Sequence, residues 1–437
     1  MHLRNSIATF AVALVCLAPA VKADGNQNAP TNVVYVHSND PGGDSVIAFK
    51  RDPNTGALSK LHGSPFLTGG KGFANSAEVL GPDDNDQEMV ATADRRFLYV
   101  TDQGSNTIAG FAIQSDGSLK AVPGSPFPSG GVQPASLGID GYLLIAMNRG
   151  DQNPGGGGGS HAPTYTSFLI LPEGSLIQIP APQPALGAGS SPTQALISPD
   201  GKLMFDAHLF ANPFDNTGLP PFIPAFSTEM HSYKINPFGQ LTPAAQTAPP
   251  APIPPFVLGL QVHPTQKILY AGLVVASALG TYSYDDNGNM TFVGATPGAP
   301  NGGLCWIAIS PDSKYLYTSD AITDQIDVYS IAADPLHPLL VQTVDLAGIR
   351  SPANFLLTAT FYDTTPFQLH TSPDGKFLFV VNHEVSDATG NNLITGNTLH
   401  VLARGSGDTL TEVPGSPWYL SAQGVQGTTH PLGVVVF

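Results

Sequence analysis

Ser198-Pro199-Asp200-Gly201-Lys202 runs straight into Leu203-Met204-Phe205, and the same unit returns as Ser372-Pro373-Asp374-Gly375-Lys376 ahead of Phe377-Leu378-Phe379. A third copy is Ser310-Pro311-Asp312-Ser313-Lys314 before Tyr315-Leu316-Tyr317. Looser copies occupy Ala93-Asp94-Arg95-Arg96, Asp140-Gly141 and His263-Pro264-Thr265-Gln266-Lys267. Each is a tight turn between two short runs rich in Val, Leu, Ile, Phe and Tyr, which is the mark of a β-hairpin. Aligning the runs that follow puts Tyr35, Tyr99, Ile145, Phe205, Tyr270, Tyr317 and Phe379 in one column, recurring about every 57 residues.

A second turn follows in every unit, at Asp52-Pro53-Asn54-Thr55-Gly56, Ser115-Asp116-Gly117, Glu173-Gly174, Phe238-Gly239, Asp286-Asn287-Gly288, Asp334-Pro335 and Gly405-Ser406-Gly407. A third echo reads Gly63-Ser64-Pro65-Phe66, Gly124-Ser125-Pro126-Phe127 and Gly415-Ser416-Pro417-Trp418. Each unit is therefore four strands: inner A, then B, C and outer D. Seven such units without helical periodicity predict an all-β chain, a seven-bladed β-propeller. Val33–Val36 opens as a B strand with no A strand before it, and Leu432–Phe437 closes as an A strand with no B strand after it. Pairing the two completes the first blade and removes two exposed edges. The propeller is expected to span residues 32–437.

Strands alternate in direction, so A–B and C–D turns share one face while B–C and D–A loops share the other. Only the second face carries long insertions, at 66–88, 149–165, 209–228, 347–366 and 383–397. Long loops in a compact domain are commonly functional, which points any site to this face, over the central channel. Three residues after the column aromatic, strand B exits there as Ser38, Asp102, Asn148, His208, Leu273, Asp320 and Asn382. Ser, Asn and Asp in such a column also start turns by bonding their own backbone, whereas His208 has no such habit. His383 and Glu384 leave the same exit in the last blade, and His430 precedes the closing strand. An imidazole beside a carboxylate suits a general base directed at water. These four, His208, His383, Glu384 and His430, are the candidate catalytic residues. Consecutive strand residues point to opposite sides, so His383 and Glu384 share a site only if the chain bends.

In the inner strands Gln194, Gln368 and Trp306 are expected to line the channel, suited either to a small polar ligand or to internal water and backbone. Arg149 and Arg350 stand in long loops of that face as candidate carboxylate clamps, with Asp102 beside them at the mouth. Asp83-Asp84-Asn85-Asp86 with Glu88 clusters oxygen donors of the kind Ca²⁺ takes, but lacks the glycine and distant glutamate of an EF-hand loop. No histidine pair has metal-binding spacing, and Gly155–Gly159 lacks the setting of a phosphate loop. No metal and no cofactor is expected.

The Tyr99-Val100-Thr101-Asp102 strand, the Ser-Pro-Asp-Gly-Lys turns and the Gly-Ser-Pro-Phe echoes resemble the lactonase-type seven-bladed propellers. That family is similar to 6-phosphogluconolactonase and to the fungal carboxymuconate cyclase, and overlaps with the Tyr-Val-Thr-Asn repeat proteins of bacterial surfaces. The resemblance covers about residues 32–437. It implies a histidine, a glutamate and arginines on the loop face. Asp102-Gln103-Gly104-Ser105-Asn106 is similar to a family Asp-Leu-Gly-x-Asp stretch. Asn382-His383-Glu384 is similar to its Asn-Glu pair with His383 inserted, while the family's arginines have no motif counterpart here.

Composition narrows the partners. The 437 residues carry 17 basic and 33 acidic side chains, a formal net charge of −16, with no basic run, so a nucleic acid would be repelled. Gly and Pro are abundant at 47 and 41 residues, yet 42% of the chain is hydrophobic, ample for a large core. Ile7–Leu17 is an apolar run after His2 and Arg4, followed by small residues at Ala18-Pro19-Ala20 and Val21-Lys22-Ala23. It is too short to span a bilayer and reads as a signal peptide over residues 1–23, with a short linker at 24–31. No later stretch is long and apolar enough for a membrane span. Cys16 lies in that leader behind Val15, which a lipoprotein signal disfavours, so Cys305 is left as a lone, buried thiol.

The sequence thus predicts a secreted or periplasmic monomer that hydrolyses or binds a small lactone or organic acid. The competing expectation is a non-catalytic propeller that grips a protein or glycan through Pro-rich loops such as Phe210–Phe226. Intact-mass measurement of exported protein should give a start between Val21 and Asp24 and no lipid. A diacylglycerol adduct on Cys16, or retention of residues 1–20, would refute the leader.

Overall fold

The computed structural model describes residues 29–73, 85–151, 161–180, 183–186, 190–208, 229–254, 256–348, 353–354, 360–361, 364–384, 396–405, 409–425 and 429–437. The chain forms seven four-stranded antiparallel blades arranged as a propeller, each in the order A-B-C-D. The A strands are Val434–Val436, Met89–Ala91, Pro134–Asp140, Leu196–Ile197, Val257–Val262, Leu304–Ile309 and Thr364–Thr371, for blades 1 to 7. The B strands are Val33–His37, Phe97–Asp102, Leu143–Asn148, Leu203–His208, Ile268–Leu273, Tyr315–Asp320 and Phe377–Glu384. Blades 1, 2 and 7 add a two-residue strand, Phe66–Leu67, Phe127–Pro128 and Trp418–Tyr419, which pairs with strand C after the Gly-Ser-Pro turn. These are the three echoes seen in the sequence.

The repeated turn explains itself. Ser198 Oγ donates to Asp200 Oδ1 at 2.8 Å and accepts the amide of Leu203 at 3.0 Å, while Gly201 takes φ +70°. Ser310 with Asp312 and Ser372 with Asp374 repeat the side-chain bond at 2.6 Å. In the looser copy of blade 2, Thr92 takes the serine's part, donating to Asp94 at 2.6 Å and accepting Phe97 N at 3.1 Å.

Alternate residues of each inner strand serve opposite neighbours. In blade 1, Val33 and Tyr35 pack with Leu98, Val100 and Phe111 of blade 2, while Val34 and Val36 pack with Phe379, Val381 and Val401 of blade 7. Both faces of the strand are therefore buried, and the seven column residues are at most 1% exposed. The ring closes as expected: Val34, Tyr35 and Val36 pair with Val436, Val435 and Val434. Cys305 is buried in strand A of blade 6. Among the described residues, no helix is long and apolar enough to cross a membrane.

A second regularity was not read from the sequence. Tyr35, Tyr99 and Tyr270 each donate their hydroxyl to a carbonyl in the C–D turn of the next blade: Gly117 at 2.7 Å, Gly174 at 2.8 Å and Pro335 at 2.8 Å. Where the column holds Ile145 or Phe205, the residue paired opposite on strand C supplies the hydroxyl instead. Ser167 bonds Gly239 O at 2.6 Å and Ser232 bonds Gly288 O at 2.7 Å. Gly117 and Gly174 have φ near +90°, and a Cβ there would come within 2.7 Å of Val33 or 2.5 Å of Phe97. Tyr99→Phe should leave the Gly174 carbonyl unpaired in the interior and cost about 1–3 kcal/mol, measured by denaturant or thermal unfolding. Gly174→Ala should cost at least as much, while Tyr142→Phe, at a 58% exposed site, should be neutral. An unchanged melt for Tyr99→Phe would refute the stitch.

Candidate functional site

Strand B of blade 7 stays extended through Glu384, so His383 and Glu384 leave opposite faces of the blade. His430 brings them into one site without a bend. Its ring stacks on His383 at 4.6 Å between centroids, and it lies near enough to Glu384 for their charges to interact. His383 continues the contact inward, edge-on to Phe367 at 5.0 Å, and Phe367 packs on Trp306 at 3.7 Å. A row of four rings thus runs from strand A of blade 6 to the segment before the closing strand. The His383 Nδ1 lies 2.9 Å from the Glu384 carbonyl, which can only accept, so this nitrogen carries the proton. Asn397 Oδ1 accepts the Glu384 amide at 2.9 Å and Asn397 Nδ2 donates to Thr429 O at 2.8 Å, tying the exit of strand B to the approach of His430.

Glu384 is fully buried, and neither carboxyl oxygen has a hydrogen-bond partner. Burial pushes its pKa up to about 8, against a smaller opposing pull from His430. At neutral pH it is a protonated acid. His383 is 2% exposed and His430 is half-buried, so His430 is the group a substrate would meet.

The channel beside this cluster is crossed by the chain itself. Residues 85–88, the end of the loop from blade 1 to blade 2, take partners from four blades. Trp306 Nε1 donates to Asn85 O at 2.7 Å, Gln194 Nε2 to Gln87 Oε1 at 2.9 Å, Leu137 N to Gln87 O at 2.9 Å, and Gln368 Nε2 to the Glu88 carboxylate. Gln194, Gln368 and Trp306 do face the channel, and they hold this segment there. Below it lies a cavity of about 410 Å³ that reaches Thr92, Ala93 and Arg95 of an A–B turn. Burial pushes Asp86 up to about 7. Asn85, Asp86 and Glu88 of the acidic stretch are thereby engaged inside the channel; Asp83 and Asp84 lie outside the described residues. Among the described residues no group of three or more His, Cys, Asp or Glu side chains is placed to hold a metal ion.

The other candidates stand apart. Asp102 is buried in blade 2, bonded by Thr107 at 3.1 Å and pushed up to about 7 by burial and by Asp44. Arg149 is buried at the exit of blade 3, its Nε 3.4 Å from Ser191 Oγ. His208 belongs to blade 4, stacked on His231 at 3.9 Å. Arg350 and Phe210–Phe226 lie outside the described residues. Sequence reasoning passed over Phe367, which precedes Gln368 in strand A, and His231, whose pairing with Asp206 appears only once a long loop has closed.

The profile of the family described as "Lactonase, 7-bladed beta-propeller" matches residues 259–389, which cover blade 5 onward through the His383–Glu384 exit. A 6-phosphogluconolactonase of Yersinia enterocolitica is 23% identical over 258 residues, 57% of this chain and 67% of that protein. Among solved structures, a Bacteroides fragilis protein provisionally assigned as a 6-phosphogluconolactonase aligns with TM-score 0.61 and 17% identity, over 94% of this chain and 99% of its own. A hypothetical selenium-binding protein of Sulfolobus tokodaii aligns almost as well, with TM-score 0.60 and 15% identity over 93% and 94% of the two chains. At such identities the structural matches speak for the fold alone. The architecture is a seven-bladed β-propeller, and the profile and the Yersinia relative make the chain similar to the lactonase-type members of that fold.

The buried acids set a pH dependence. Asp86, Asp102 and Asp206 are raised to about 7 and Glu384 to about 8, so the folded chain keeps protons that an unfolded one has released. Stability from these groups falls as pH rises toward those values. Buried His208, His231, His263 and His370 are lowered and act oppositely, but only up to the ordinary histidine value of 6.5. Above it only the acids remain. The melting temperature should drop by about 2–5 °C between pH 6.5 and 8.5, and Glu384→Gln should flatten the upper part of that fall. A melting temperature constant or rising over this range would contradict the protonated state assigned to Glu384.

Proposed function

We propose that the chain hydrolyses a small, unphosphorylated organic-acid or sugar lactone at the loop face, outside the cytoplasm. One observation carries the reading: half-buried His430 stacks on His383 beside a buried glutamic acid held protonated at neutral pH. His430 takes a proton from water as the oxygen attacks the lactone carbonyl. The ring C–O bond of the tetrahedral intermediate then breaks, and the leaving alkoxide takes back the proton that His430 holds. The product is the open hydroxy acid, His430 is neutral again, and buried Glu384 acts through its charge interaction with the His430 ring. His383 keeps the His430 ring in one plane. A phosphorylated substrate fits poorly with a net charge of −16 and with an Arg149 that is buried at the exit of blade 3. The apolar run Ile7–Leu17 and the small residues after it, which read as a signal peptide, favour the extracytoplasmic setting.

A second reading, a binding propeller without catalysis, is favoured by the way Gln194, Gln368 and Trp306 hold residues 85–88 rather than leaving the channel open. A panel of neutral lactones and one phosphorylated lactone, assayed with purified full-length chain, separates the two. Hydrolysis of a neutral lactone should fall about 10²-fold in His430→Ala and by about tenfold or more in Glu384→Gln. Asp374→Ala, in a short turn of the opposite face, should alter the melt and leave the rate of folded protein unchanged. Full activity in both site variants would overturn the assignment, and no activity on any lactone would favour the binding propeller.

A further inference from the structure

A cavity of about 480 Å³ opens in blade 4, away from the blade 7 cluster, lined by Pro184, Leu186, His208, His231, Tyr233 and Pro243 among others. Its size is ordinary for a small-molecule site. His208 is 1% exposed, and neither of its ring nitrogens has a hydrogen-bond partner. The nearest carboxylate, Asp206, is 3.6 Å from Nε2, and its oxygens already accept the Tyr165 hydroxyl and the Thr193 and Gln194 amides. An imidazole buried with both nitrogens idle is costly unless something enters to satisfy it. His231 lies flat against it at 3.9 Å, with an interplanar angle of 9°, so the two rings form one polar wall. The facing walls of Pro184, Ala185, Leu186, Pro243 and Ala244 are apolar.

The chemistry of the wall selects the guest. Burial holds His208 well below its ordinary value and His231 down to about 4, so both are neutral at pH 7. His208 then offers one N–H and one lone pair, a match for hydroxyl groups, which also donate and accept, while His231 Nδ1 lies 3.4 Å from the Tyr233 hydroxyl. No described residue lining the cavity is Asp, Glu, Lys or Arg, and the nearby Glu229 lies outside the lining with its carboxylate 3.5 Å from His231 Nε2, so a charged guest would lose hydration without meeting a counter-ion in the wall. We propose that the blade 4 cavity is a second ligand site, for an uncharged hydroxylated ring such as an unmodified sugar. It is separate from the blade 7 cluster and does not depend on hydrolysis there.

Saturation-transfer NMR on the full chain tests this with D-glucose, D-glucuronate and D-glucosamine as neutral, anionic and cationic ring probes. Glucose should receive saturation at least about fivefold above either charged probe, reflecting the unpaired cost of a buried charge. His208→Phe should reduce the glucose signal by about fivefold or more, since the phenyl ring offers no hydrogen bond, while His383→Gln should leave it intact. Should His208→Phe melt early, the charge series on the parent protein and His231→Phe decide in its place. No transfer to glucose, equal transfer to the charged probes, survival of the signal in both blade 4 variants, or its loss in His383→Gln would each overturn the proposal.

Discussion

A buried hydroxyl donating to the carbonyl of the next blade's C–D turn is the contact on which the ring depends. Packing between blades is apolar on both faces, and hydrophobic contact by itself has no direction. The hydroxyl bond does, and in blades 1 to 5 it fixes how far the blade is turned against the next. Tyrosine supplies it from strand B in blades 1, 2 and 5. In blades 3 and 4 serine supplies it from the paired position on strand C. The joint from blade 7 to blade 1 has Phe379 opposite Val401, so neither can donate. There Arg51 reaches Asp374 at 3.3 Å, Gly56 sits against the Phe377 ring, and the shared first blade adds its own ladder.

This lattice of stitches fills one end of the ring with short turns, which leaves the other end to the insertions. Strand ends on the loop side gather acids: Asp44, Asp102, Asp206, Asp320, Asp327 and Glu384 are buried there or nearby. Asp320 is driven well above the ordinary carboxyl range by burial and by Asp327 beside it. Interior acids this close cannot all ionise at once. A face built this way keeps several carboxyl protons at neutral pH and carries less negative charge than its acid content suggests.

The fold was legible because it is periodic. The Ser-Pro-Asp-Gly-Lys turn, the column of large buried residues and the Gly-Ser-Pro echo each repeat, and each repeat has one local cause that a few similar residue types satisfy. The site was legible only in part. His383, Glu384 and His430 were expected on one face and do meet, but through His430 and not through a bend after His383. Gln194, Trp306 and Gln368 were expected in the channel and are there, yet the segment they hold comes from residues 85–88. Nothing periodic marks that segment: its path depends on where a long insertion returns, and Asn85-Asp86-Gln87-Glu88 reads equally as solvated loop. The hydroxyl stitch hid for the opposite reason. It is conserved in space across strands B and C, so a column of single residues shows tyrosine, isoleucine and phenylalanine with no common property.

The two imidazole pairs show how environment divides one residue type between tasks. His383 and His430 stack at 4.6 Å, with one ring half-buried and an acid alongside, so a proton can reach water on one side and a carboxyl on the other. His208 and His231 stack closer and flatter, at 3.9 Å. Of the carboxyls near them, Asp206 is committed to Tyr165 and two amides, and Glu229 lies 3.5 Å from His231 Nε2. With burial opposing the charged form of both rings, the blade 4 pair can donate and accept hydrogen bonds but is poorly placed to carry a proton away. The difference lies in the neighbours. Asn397 and the approach to Leu432 bring His430 to the exit of one strand, while the Thr193-Gln194 amides claim Asp206 at the exit of the other.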